Sequence, residues 1–106
     1  MKAMYLIQIL LPLKDNQGKP IAQRHYVDLA RELSERFGGL TAYVQAPADG
    51  LWKKKRGAKT SHDQVVIYEV MAKRLDRRWW KQQRMALEKT FRQQDILIRA
   101  TTITRL

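Results

Sequence analysis

Four short runs of β-forming residues and two segments of helical periodicity follow one another along this chain in an order that few folds accommodate. Residues 4–13 (MYLIQILLPL) are dense in β-formers, contain Pro12, and are followed by a turn-rich stretch, 14–20 (KDNQGKP). From 23 to 37, Tyr26, Leu29, Ala30, Leu33 and Phe37 recur at helical spacing with charged residues between them. Gly38 and Gly39 supply a helix stop. Residues 40–45 (LTAYVQ) read as a second strand closed by Pro47, and a long loop carrying Trp52 and a lysine run follows. Residues 65–71 (VVIYEVM) form a third strand. Asp76 is placed to cap a helix over 77–93, with Trp80, Leu87 and Phe91 on its apolar side. Residues 96–103 (ILIRATTI) complete the set as a fourth strand.

The resulting order, βαββαβ, is the split βαβ arrangement of ferredoxin-like α+β folds. We therefore expect a single domain over 1–106, with a four-stranded antiparallel sheet in spatial order 4-1-3-2. Both helices would pack on one face and leave the other open. A length of 106 residues supports one core.

Strand alternation assigns residues to the two faces. With Tyr5, Ile7, Ile9 and Leu11 toward the helices, Leu6, Gln8 and Leu10 face the open side. Val66, Tyr68 and Val70 then point inward, while Val65, Ile67, Glu69 and Met71 point out. On the last strand Ile96, Ile98 and Ala100 face in, with Leu97, Arg99, Thr101 and Ile103 opposite. The open face is mostly apolar, with Gln8, Glu69 and Arg99 as its polar members. An apolar sheet face of that size is seldom left in water, so face-to-face dimerisation, a bound ligand or a covering loop is expected there. The expected dimer or ligand residues are Gln8, Trp52, Ile67, Glu69 and Arg99, with Trp52 as a lid, a dimer contact or a loop anchor.

The formal net charge of +11 is concentrated. Residues 53–59 carry Lys53, Lys54, Lys55, Arg56 and Lys59 without an acid, and residues 73–92 carry eight cations against Asp76 and Glu88. These two stretches supply all of the excess. On a helical projection Arg77, Arg78, Lys81, Arg84, Lys89 and Arg92 share one arc, interrupted by Glu88. The ordinary account of such an arc is solvation. The alternative is contact with nucleic acid or another polyanion through Lys53, Lys54, Lys55, Arg56, Lys59, Arg77, Arg78, Lys81 and Arg84. A base-stacking sheet platform is not expected, because nothing matches the ribonucleoprotein consensus and the alternation turns Tyr5 and Tyr68 toward the helices.

No catalytic motif accompanies these features. The chain has no cysteine, which removes disulfides, thiolate catalysis and cysteine-ligated metal and fits a reducing, cytoplasmic setting. His25 and His62 lack acids at metal-ligand spacing, so neither a metal nor a cofactor is expected. The apolar stretch at 5–13 is too short for a membrane span. A carboxylate among Val65, Ile67 and Met71 is a candidate base with a raised pKa, and Glu69 is read either that way or as a structural partner of Arg99 or of another subunit.

The element order and the strands that are apolar on both sides resemble the dimeric α+β barrel group, in which two ferredoxin-like protomers pack their sheets together. The segment 38–52 (GGLTAYVQAPADGLW) is similar to one found in a group of short, uncharacterised bacterial proteins. The barrel resemblance implies a homodimer and, in some members, chemistry on a small molecule inside the barrel. No residue of this chain matches a motif of those enzymes. The readings carried forward are a homodimeric binding or scaffolding protein, a nucleic-acid-associated protein, and a barrel enzyme using Glu69.

Overall fold

In the computed structural model the described residues are 2–45 and 65–106. They form β1 (Lys2–Pro12), α1 (Gln23–Phe37), β2 (Thr41–Gln45), β3 (Val65–Ala72), α2 (Arg77–Thr90) and β4 (Ile98–Arg105). One antiparallel sheet in the order β2-β3-β1-β4 contains all four strands. This is the ferredoxin-like arrangement expected from the sequence, with β1 and β3 at the centre.

Both helices lie on the same face. Ile7, Ile9 and Leu11 of β1 are fully buried there against Leu29 and Leu33 of α1, Trp80 and Leu87 of α2, and Phe91 and Ile96 beyond it. Burial of such side chains contributes roughly 1.5–3 kcal/mol each. Two tyrosines cross this core with their hydroxyls satisfied. Tyr68 donates to the Tyr26 carbonyl at 3.0 Å, and Tyr26 donates to the Pro12 carbonyl. Burial raises both phenol pKa values, that of Tyr26 further through the nearby Tyr68.

The helix ends show how local sequence sets the boundaries. Gly38 closes α1 at φ 77°, a left-handed conformation that glycine adopts without a Cβ penalty. Asp76 caps α2 by accepting from the Trp79 backbone N–H at 3.0 Å. The far end of α2 falls at Thr90, three residues before the boundary expected from periodicity. Arg92 takes φ 52° there, while the N–H groups of Arg92 and Gln93 turn back to the carbonyls of Lys89 and Glu88. That paired closure stops the helix although the apolar spacing continues.

β4 also differs from expectation, pairing from Ile98 to Arg105 rather than over 96–103. Ile96 is 1% exposed without belonging to the ladder, and the Leu97 carbonyl accepts from the Leu10 N–H. Trp79 lies beside the core, 4.7 Å from Trp80 and 5.7 Å from Phe37 between ring centres. The Arg36 guanidinium sits 4.0 Å from the Trp79 ring centre.

Candidate ligand site on the open sheet face

The open face is built from alternate residues of all four strands, and their register decides which of them meet. β1 brings Gln8 opposite Glu69 of β3 on one side and Arg99 of β4 on the other. β2 brings Thr41 opposite Glu69 and Tyr43 opposite Ile67. Around this row lie Leu6, Leu10 and Met71. Met71 is 44% exposed.

A continuous hydrogen-bonded strip runs across the strands within this apolar setting. The Gln8 side-chain N–H donates to Glu69 Oε1 at 2.7 Å and to the Tyr43 hydroxyl oxygen at 3.1 Å. The Tyr43 hydroxyl donates to the same Glu69 oxygen at 3.3 Å. Arg99 Nε donates to Gln8 Oε1 at 2.8 Å. Each strand thus contributes one side chain. The glutamine amide, which both donates and accepts, joins a carboxylate on one side to a guanidinium on the other. The direct Glu69–Arg99 contact considered from the sequence is replaced among the described residues by this bridge.

Tyr43 was not singled out for this face by sequence reasoning. Strand alternation alone did not assign a face to β2, because the long connection 46–64 gives no hairpin register to β3. The observed pairing of Tyr43 with Ile67 supplies that register. Tyr5 and Tyr68, the other two strand tyrosines, belong to the helix side.

Ile67 keeps its expected face but is 1% exposed, between Leu10 and Tyr43 as cross-strand neighbours, so it is not free surface for a partner. Arg77, Arg78 and Lys81 are exposed on α2. Arg84 departs from the solvated arc, as it lies 3.3 Å from Glu88 and 4.0 Å from Asp95 and is 38% exposed. His25 is half-buried with its ring 6.0 Å from Phe91. Trp52, His62, Lys53, Lys54, Lys55, Arg56 and Lys59 lie outside the described residues. Among the described residues no cluster of His, Asp or Glu is placed to hold a metal ion, and no helix is long and apolar enough to cross a membrane.

The fold and this face define a ferredoxin-like α+β protein with a hydrogen-bonded polar strip set across one face of its sheet. No family model and no curated protein matches the chain. It is similar in structure to a phage SAM lyase solved in complex with S-methyl-5'-thioadenosine, with a TM-score of 0.56 over 99% of this chain and 92% of that one. The two are 13% identical in sequence, and the likeness concerns the fold.

Proposed function

We propose that this protein binds a small molecule on the open face of its sheet, on a site formed by Tyr43, Glu69, Gln8 and Arg99, with a second copy packed face to face over it. The strip of hydrogen bonds spanning four strands carries this reading. An acceptor-rich carboxylate and a donor-only guanidinium, about one amide apart on an apolar floor, suit a ligand with a flat apolar body and polar groups of both kinds. That a protein of the same fold holds a nucleoside thioether supports the choice of ligand class. Gln8 and Tyr43 both hold Glu69 Oε1, which also suits a positioned general base, so the enzymatic reading concerns the same residue.

The test is calorimetric titration with S-methyl-5'-thioadenosine and adenosine as probes, on the native chain and on Glu69→Gln and Arg99→Met. Saturable binding lost in both variants supports the site. Heats that are absent, or equal in all three proteins, refute it. Sedimentation at micromolar concentration tests the paired copy, with Met71→Glu expected to yield monomers because Met71 is exposed on this face. A native protein that sediments as a monomer overturns the pairing.

A second reading, contact with nucleic acid, rests on the exposed Arg77, Arg78 and Lys81. Three phosphate contacts would weaken binding roughly fortyfold between about 50 and 200 mM salt. Fluorescence anisotropy with single-stranded RNA and duplex DNA, repeated on a variant with Arg77, Arg78 and Lys81 changed to Ala, measures this directly, and binding that is absent or unchanged in the variant refutes it.

A further inference from the structure

We infer that the outer edge of β4, together with the groove between β4 and α2, accepts an extended acidic segment of a partner protein as a fifth strand. The inference concerns the helix side and the sheet edge, and it does not depend on the open-face site.

The backbone supports this first. β4 is an outer strand of the sheet. Leu10 and Leu97 form a hydrogen-bonded pair, with the Leu10 N–H 3.0 Å from the Leu97 carbonyl. Hydrogen-bonded and non-bonded pairs alternate along an antiparallel ladder. In the register Ile9↔Ile98, Ile7↔Ala100 and Tyr5↔Thr102, the N–H and C=O groups of Ile98, Ala100 and Thr102 therefore point away from β1. They form a row of main-chain donors and acceptors to which no other described strand is paired.

The side chains of the same residues add a groove. They face the helix side, where cover thins along the strand: Ile98 is half-buried, while Ala100 and Thr102 are exposed. A trough of about 420 Å³ results, with Tyr5, Ile7 and Trp80 in its apolar lining. Its lining includes Arg77, Lys81 and Arg84 of α2, the last already paired with Glu88, and no acid. A strand added at the β4 edge would turn every second side chain toward the cationic wall of α2, and acids at those positions complement it.

Charge and chemistry select among occupants. A second copy paired through β4 would bring two such cationic walls together. Nucleic acid offers phosphates to the cations but no alternating donors and acceptors at strand spacing to match the outward main-chain row. An acidic extended peptide meets both.

The probe is a fluorescein-labelled octapeptide alternating glutamate with valine or threonine, titrated by anisotropy. Controls are the peptide N-methylated at alternate amides, the peptide with lysine for glutamate, and a single-stranded oligonucleotide of equal charge. The N-methylated and lysine peptides should bind at least about tenfold more weakly, the scale of one lost main-chain hydrogen bond. Thr102→Pro removes an outward N–H without breaking the β1 ladder and should cost about tenfold, with an unchanged circular dichroism spectrum. Arg77→Glu with Lys81→Glu should abolish binding at low salt. Undetectable binding to the native chain, or equal binding of the N-methylated peptide, overturns the inference. So does an oligonucleotide that displaces the peptide and binds Thr102→Pro as well as the native chain. A dimer that Thr102→Pro dissociates would assign the edge to a second copy and equally overturn it.

Discussion

Glu88 interrupts the basic arc of α2, and its surroundings allow the cost of losing it to be worked out. Its Oε2 accepts from the Ile96 backbone N–H at 3.0 Å and from Arg84 at 3.3 Å. Ile96 is 1% exposed and the Glu88 side chain 17%, so removing the carboxylate strands a buried N–H. A hydrogen bond to a charged group contributes about 1.5–3 kcal/mol, whereas an i,i+4 ion pair at a half-exposed site contributes about 0.3–0.5 kcal/mol. Glu88→Ala should therefore cost about 2–3 kcal/mol. In a domain of this size that lowers the thermal midpoint by about 10–20 °C. Glu88→Gln keeps a neutral acceptor for Ile96 and should cost about 1 kcal/mol. Arg84→Ala removes the ion pair alone and should cost about 0.3–0.5 kcal/mol. Urea denaturation of the three variants against the native chain measures all of these. If Arg84→Ala proves as damaging as Glu88→Ala, the ion pair rather than the backbone bond dominates, and the reasoning fails.

Three further outcomes are expected. Tyr26 and Tyr68 have phenols raised by burial above the ordinary 10.0, so the stability they provide is complete below that pH and is lost as pH climbs through the raised values. Unfolding free energies across the alkaline range should fall more steeply for the native chain than for Tyr68→Phe. Gly38 and Arg92 both hold positive φ, at 77° and 52°, so Gly38→Ala should destabilise and Arg92→Gly stabilise by about 1 kcal/mol each in the same denaturation assay. Tyr43→Phe and Arg99→Met should be coupled by about 0.5 kcal/mol in a double-mutant cycle, and the coupling should vanish when Gln8 is replaced by Leu.

The fold was legible because each element carried its own local signal. Residues 23–37 show apolar spacing ended by Gly38, and the helix occupies those same residues. The facing of Ile7, Ile9 and Leu11 against Gln8 followed from period two alone. Legibility ended where a boundary depends on backbone geometry or on distant pairing. The left-handed turn at Arg92 has no glycine to announce it, and Leu97 turns its carbonyl to Leu10 before β4 begins. The position of Tyr43 depends on a register that no short turn specifies. For the open face, the sequence supplied three polar residues on one side, and only the cross-strand register showed that Gln8 stands between the other two.

That central position gives the sheet a direction its fold lacks. The carboxylate of Glu69 lies on the β3 side of Gln8 and the guanidinium of Arg99 on the β4 side. A molecule lying across the strands meets negative charge at one end and positive charge at the other, and reversing it exchanges like for opposite at both ends. Orientation across the strands is thereby distinguished electrostatically, even where the surrounding leucines and methionine make contact equally well either way.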